Sequence, residues 1–240
     1  METILKRFAS GEIGIEEACK ELRQESVRRL KDFASIDVNR QYRTGIPEII
    51  FAEGKNSDEV ADIAIALATA NGFALISRAK GTDVEAIKKR LEEQDEAFEI
   101  DYNEVAKTIR VQKSGYEFEK TGKIGLIAAG TADLPVAEEA RVVAEVCGCE
   151  VIKAYDVGIA GIHRLVEPLE EIVNANVAAI IVVAGMEGAL PSVVASLVNV
   201  PVIGVPTSVG YGLGGNAEQR IFLCSRAAPP DSQWSIGTMW

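Results

Sequence analysis

The sequence predicts an α/β protein whose C-terminal half is a doubly wound, three-layer parallel sheet, preceded by a small α/β domain. Three observations carry this. From Lys123 onward, KIGLIAAG, EVIKAYDVG, AAIIVVAGMEG and PVIGVPTSVG are short continuous apolar runs, each ending in glycine or a small polar residue. Between them lie helical stretches of about ten to fifteen residues, the alternation of β-α-β units. The runs are the strands of a parallel sheet buried on both faces, and right-handed crossovers then place helices above and below it. Finally, 48% of the 240 residues are apolar, enough to bury one large core or two modest ones.

The elements before the sheet follow in order. Gly14 to Phe33 is rich in Glu, Lys, Arg and Leu at helical spacing, which predicts a helix. SDEVADIAIALATANG predicts a second, with Ser57 as N-cap and Gly72 beyond its end. Strands are expected at Pro47 to Phe51, Ala74 to Ser77, Ala97 to Asp101 and Thr108 to Gln112, the last two joined as a hairpin through Tyr102 and Asn103. The composition shifts near Gly122. The expected divisions are an N-terminal domain over 1–121, a nucleotide-binding domain over 122–216 and an anomalous tail over 217–240.

Composition narrows the function. The 36 acidic and 25 basic side chains give a formal charge of −11, and no stretch gathers Lys and Arg on a phosphate-tracking surface, which argues against a nucleic-acid partner. The opening METILKRF is charged, and no apolar run approaches spanning length, so a membrane partner is not expected and the cytoplasm is the expected location. The four cysteines, Cys19, Cys147, Cys149 and Cys224, lack zinc-ribbon spacing and read as reduced thiols.

In a doubly wound sheet, ligands bind outside the carboxyl ends of the strands. Four turns lie there. In AAGTADLPVAEEA, Gly130 and Thr131 leave the strand while Asp133 and Pro135 open a helix, so backbone N–H groups face a potential phosphate. YDVGIAGIHRL carries His163, the chain's single histidine, beside Arg164; it either caps a carbonyl or moves a proton. AGMEGALP places Glu187 between Gly185 and Gly188, straight after an apolar strand. Partial desolvation there raises a carboxyl pKa toward a general acid or base role. GVPTSVGYGLGG is the fourth turn. Each glycine taken singly also suits a tight strand-to-helix turn, but four together point to a nucleotide site.

GTADLPVAEEA, YDVGIAGIHRL, AGMEGALPSVVASL and PVIGVPTSVGYGLGG, in that order and spacing, resemble the LarB family of nickel-pincer nucleotide cofactor biosynthesis, whose C-terminal half is similar to aminoimidazole ribonucleotide carboxylase of purine biosynthesis. NRQYRTGIPEIIFAEGK, from Asn39 to Lys55, extends the likeness into the N-terminal half, a stretch the purine carboxylase lacks. The resemblance implies a flavodoxin-like sheet of the carboxylase type. It implies carboxylation of the pyridinium ring of nicotinic acid adenine dinucleotide at C5, with hydrolysis of the phosphoanhydride and release of AMP. CO2 or bicarbonate is then a co-substrate, Mg2+ a cofactor of the anhydride step, and the protein a symmetric homo-oligomer. An electron-poor ring carbon does not attack CO2; a thiolate adding at C4 makes C5 nucleophilic, and a base must then take the C5 proton.

Carried over by position, Gly130, Thr131 and Ala132 match the family's first nucleotide-binding turn, with Asp133 and His163 at polar catalytic positions beside Glu187. Gly185, Met186, Gly188, Ala189 and Leu190 match the turn that holds the ring and its ribose phosphate, and Thr207 and Ser208 the fourth strand end. The metal ligands are not assigned. Two other readings stand beside this one: an inactive nucleotide-binding remnant, and purine-type carboxylation, which leaves the N-terminal domain unexplained.

After GYGLGG the family continues with a helix, a Ser-Cys-Ala-Pro-Gly segment bearing the nucleophilic cysteine, a last strand and a final helix. Here the chain reads AEQRIFLCSRAAPPDSQWSIGTMW. Read one base earlier, codons permitted for Ala228 to Ser235 spell Ala-Pro-Gly-Leu-Thr-Val-Val, and those for Leu223 to Ala227 spell Leu-Gln-Ser-Cys. The tail therefore reads as a frameshift beginning near Asn216, the alternative being a lineage-specific tail. Arg226, Pro229, Pro230 and Asp231 are expected to keep this tail from extending a central strand, leaving one sheet edge open.

Overall fold

A computed structural model describes residues 2–25, 27–30, 34–185, 188–208 and 234–236. The chain divides into two compact units, Met1–Asn103 with Lys107–Glu117, and Glu104–Ala106 with Phe118–Trp240.

The first unit begins with α1 (Glu2–Ala9) and α2 (Ile15–Glu25). The helix expected as far as Phe33 stops at Glu25, and β1 (Val27–Leu30) pairs antiparallel with β2 (Ala34–Asp37). Charged residues at helical spacing are only a weak prior that tertiary packing overrides. Here Ile36 of β2 is buried in the unit's core. After α3 (Arg40–Thr44) come β3 (Ile49–Phe51), α4 (Ser57–Asn71), β4 (Phe73–Ser77), α5 (Gly81–Leu91), β5 (Phe98–Asn103) and β6 (Thr108–Lys113). The sheet order is β3-β4-β6-β5. The β3–β4 pair is parallel, as its helical crossover α4 requires, and the other pairs are antiparallel. Val60, Ala64 and Leu67 of α4 lie in one core with Ile76, Ile109 and Val111 of the sheet.

Two local expectations are corrected here. The N-cap of α4 is Asn56, which closes a capping box with Glu59. Ser57 instead donates its hydroxyl to Asp83 Oδ1 at 2.6 Å, bracing the starts of α4 and α5. Tyr102 and Asn103 are strand residues rather than the turn, since Asn103 pairs with Thr108 and the connection runs over 104–107. Gly72 closes α4 with φ 87°, a left-handed conformation that favours glycine.

The second unit contains β7 (Gly122–Ala128), a 3-10 turn (Thr131–Asp133), α6 (Leu134–Val146), β8 (Cys149–Ala154), a second 3-10 turn (Ile159–Gly161) and α7 (His163–Asn174). It continues with β9 (Ala179–Ala184), α8 (Leu190–Leu197), β10 (Val202–Pro206) and β11 (Trp234–Ile236). The strands are ordered β11-β10-β9-β7-β8 and pair in parallel throughout. This is the flavodoxin-like order 2-1-3-4-5, with its topological switch between β7 and β9.

Successive residues of β7 face opposite layers. Leu126 joins a core with Ala137 and Ala140 of α6, while Ile127 joins Leu165, Leu169 and Ile172 of α7 and Leu190 and Val194 of α8. Helices thus cover both sheet faces, and each fully buried Val, Leu or Ile contributes on the order of 1.5–3 kcal/mol.

The expectation that the tail leaves one sheet edge open is corrected: Trp234–Ile236 pairs in parallel with Val202 to Gly204 as the outermost strand. The segment lies beyond the prolines, contains neither proline nor charge, and enters as an edge strand, where only one side must be paired. The remainder of the tail, with Cys224, lies outside the described residues.

Candidate active site

Three backbone hydrogen bonds lace the carboxyl ends of the strands together. Val157 N–H donates to Ala128 O at 3.2 Å, Ala129 N–H to Val183 O at 2.9 Å, and Thr207 N–H to Ala184 O at 3.1 Å. The turns after β7, β8 and β10 are therefore tied to neighbouring strands around the switch point.

The first turn is organised by Asp133. Its carboxylate is buried, 6% exposed, and accepts from Gly130 N–H at 3.0 Å through Oδ2 and from the Thr207 hydroxyl at 2.6 Å through Oδ1. Asp133 N–H returns to Gly130 O at 3.0 Å. Thr131 and Ala132 are exposed between them. Their N–H groups open a helical turn that runs straight into α6, so no earlier turn supplies their acceptors. Backbone N–H groups in such a position are the kind of donor that binds an anion.

Gly185 follows β9, and Gly188 turns back with its N–H on Gly185 O at 3.0 Å and φ 64°. Ala189 precedes α8, and Leu190 anchors it in the core at 1% exposure. Met186 and Glu187 lie outside the described residues. Ser208 is exposed beside the buried Thr207. His163 is exposed on the first residue of α7. Its neighbour Arg164 pairs with Asp156 Oδ2 at 2.7 Å, an exposed contact of small energetic weight. The structure thus joins Gly130, Asp133 and Thr207 by hydrogen bonds and sets His163 after the second turn.

The partnership of Asp133 with Thr207 was not legible in the sequence, because the two residues are far apart in the chain and neither spacing nor composition links them. A second polar group was also missed. The Tyr155 hydroxyl donates to Glu138 Oε1 at 2.6 Å, and Arg141 donates to Glu138 at 2.9 Å and to Glu145 at 2.6 Å. Burial, followed by the bond to Glu138, raises the Tyr155 pKa and keeps the phenol protonated.

Cys147 ends α6 and Cys149 begins β8, which puts both at the amino end of the sheet, opposite the laced turns. Burial first, and Cys149 second, push the Cys147 thiol pKa up. A groove of about 640 Å³ opens at that amino end, lined by Thr121, Lys123, Cys149 and Glu150. Its position excludes it from the strand-end site. Among the described residues no group of three or more His, Cys, Asp or Glu side chains is placed to hold a metal ion, and no helix is long and apolar enough to cross a membrane.

The parallel sheet with its laced carboxyl ends is a flavodoxin-like α/β domain, and comparison with known proteins adds the carboxylase class. A model described as AIR carboxylase matches residues 123–218, and one described as a LarB/PurE-like N-terminal domain matches residues 27–113. The chain belongs to the LarB family. An uncharacterized protein of Methanocaldococcus jannaschii is 43% identical over 214 residues, covering 89% of this chain and 83% of its own length. The N5-carboxyaminoimidazole ribonucleotide mutase of the same organism is 40% identical over 84 residues, 35% of this chain and 51% of the mutase. That of Thermotoga maritima is 37% identical over 97 residues, 38% of this chain and 54% of the mutase. The chain therefore spans about half the length of each mutase.

Proposed function

We propose that the working form of this protein carboxylates the pyridinium ring of nicotinic acid adenine dinucleotide at C5 and hydrolyses its phosphoanhydride, releasing AMP and pyridinium-3,5-biscarboxylic acid mononucleotide. The observation that carries the reading is the joining of a LarB/PurE-like N-terminal domain to an AIR carboxylase domain in one chain. The purine mutases match 35% and 38% of this chain.

The chemistry assigns distinct tasks to the strand-end turns. The Thr131 and Ala132 N–H groups hold a phosphate of the dinucleotide, and the Gly185–Leu190 turn receives the ring and its ribose phosphate. A thiolate adds to C4, turning the pyridinium into a neutral enamine. C5 then forms a bond to CO2, a base takes the C5 proton, and the ring recovers aromaticity as the thiolate leaves. Glu187, flanked by glycines, is the base, and His163 is a second proton-transfer candidate. Water attacks the phosphoanhydride in the separate hydrolytic step. Magnesium would offset phosphate charge there; the described residues gather no cluster of three or more His, Cys, Asp or Glu ligands, and no step above depends on one.

Cys147 and Cys149 lie at the wrong end of the sheet for this thiolate. The likeness to the LarB family instead implies a nucleophilic cysteine in the segment after Asn216, where this chain departs from the family pattern. The test is incubation of the chain, as it stands and with the frame restored, with the dinucleotide, bicarbonate and Mg2+. Formation of AMP and the biscarboxylic mononucleotide by the restored chain supports the reading. Conversion of carboxyaminoimidazole ribonucleotide instead would favour the mutase-type alternative, which the match of residues 123–218 to the AIR carboxylase model keeps in view.

A further inference from the structure

Thr207 and Asp133 are both almost fully buried, at 3% and 6% exposure, yet they occupy the strand-end turns where a ligand would sit. Burial this deep leaves little of either side chain open to solvent. Their polar atoms are satisfied by each other and by the first turn. The Thr207 hydroxyl donates to Oδ1 of Asp133 at 2.6 Å, and Oδ2 of the same carboxylate accepts the Gly130 N–H at 3.0 Å. Thr207 is itself fixed, since its N–H donates to Ala184 O at the end of β9 at 3.1 Å.

We infer that Thr207 and Asp133 are positioning residues of this site. The Thr207 hydroxyl orients the Asp133 carboxylate, and the carboxylate orients the Gly130 amide. The first turn then keeps the N–H groups of Gly130 and Asp133 for its own structure and presents those of Thr131 and Ala132 to an anionic group. The chain of contacts runs from the fourth strand end, across the sheet, to the phosphate-facing turn. A charge-assisted hydrogen bond of this length is among the stronger ones in a protein, and leaving its buried acceptor without a donor is costly.

The inference rests on the reading that these turns hold a nucleotide, and its experiment separates the two. Hydrogen exchange is followed amide by amide on the full chain without ligand, in Thr207→Val, which removes the hydroxyl at constant shape, and in Thr207→Ser, which keeps it. Asp133→Asn, which cannot accept from both donors in the same way, covers the case in which Thr207→Val does not fold. Thr207→Val and Asp133→Asn are expected to speed exchange of the Gly130 amide roughly tenfold or more, with the Ile180 amide of the sheet core unchanged and Thr207→Ser near the parent. Titration with nicotinic acid adenine dinucleotide should show affinity falling in the same two variants and surviving in Thr207→Ser. Unchanged Gly130 exchange in the valine and asparagine variants, or failure of serine to rescue, overturns the inference. Absence of dinucleotide binding in the parent with the reading frame restored after Asn216 overturns the nucleotide reading alone, and Gly130 exchange still decides the positioning role.

Discussion

A Cβ atom on Gly158 would lie 2.8 Å from the carbonyl oxygen of Ala129, so the turn after β8 packs against the turn after β7 at a separation that only glycine permits. Gly158 has φ −65°, an ordinary value for any residue, so the requirement is purely one of space. Backbone carbonyls do not rotate away as a flexible side chain would. The contact reinforces the neighbouring Val157 to Ala128 hydrogen bond and fixes two of the four turns of the candidate site.

Gly158→Ala is therefore expected to destabilise the second unit by about 1–3 kcal/mol, the cost of overpacking a tight site. It should also weaken nucleotide binding by more than the stability loss explains. Urea unfolding and ligand titration of the same variant check both.

Gly125 is the corresponding position in the core. A Cβ there would approach Ile172 Cγ2 to 2.5 Å, beneath α7 in the middle of β7. Gly125→Ala should cost about 1–3 kcal/mol, and Ile172→Ala about 2–5 kcal/mol. Because the added methyl fills space the isoleucine vacates, the double variant should be less destabilised than the sum by about 0.5–3 kcal/mol. Simple additivity in a double-mutant cycle would show that α7 moves as a body instead.

Tyr155 gives the second unit a dependence on alkaline pH. Burial and the Glu138 hydrogen bond raise its pKa in the folded state. The folded protein therefore holds the phenolic proton more tightly than the unfolded chain. Its contribution is complete below the ordinary tyrosine pKa of about 10 and is lost as pH rises above it. Denaturant midpoints measured from pH 8 to 11 should fall more steeply for the parent than for Tyr155→Phe. Parallel curves would remove Tyr155 from the account.

Much of this architecture was legible because its signals are local. Continuous apolar runs ending in glycine specify buried parallel strands, and all four of the strands expected after Lys123 are present, with Gly72 closing α4 as its position suggested. What was missed depended on distant partners. Charge periodicity continued a helix through residues that instead pair as β1 and β2, and capping of α4 fell to Asn56 because Ser57 is engaged by Asp83 on α5. The glycines of the site were visible as turn formers. The hydrogen bond between Thr207 and Asp133 was not, since sheet order alone brings β10 near the first turn. The entry of Trp234–Ile236 into the sheet was missed for a related reason: the prolines and charge that exclude a strand precede this segment and do not include it.

Glu187→Gln, made in a chain with the family reading frame restored after Asn216, should slow turnover by about 10²–10⁴-fold, the usual contribution of a positioned general base. Dinucleotide binding should survive, because the substitution keeps the side chain's size. Unchanged turnover would return Glu187 to a purely structural role in its glycine turn.

The proposed role of this scaffold is pyridinium carboxylation. Its most direct test is mass-spectrometric analysis of products after incubation of the frame-restored chain with nicotinic acid adenine dinucleotide, carbon-13 bicarbonate and Mg2+, with the chain as it stands alongside. The restored chain should release AMP together with a mononucleotide carrying one labelled carboxyl group, and the chain as it stands should yield neither product nor a covalent adduct on Cys224. An unlabelled, unconverted dinucleotide in the restored reaction, or an adduct on Cys224 in the chain as it stands, would contradict the account.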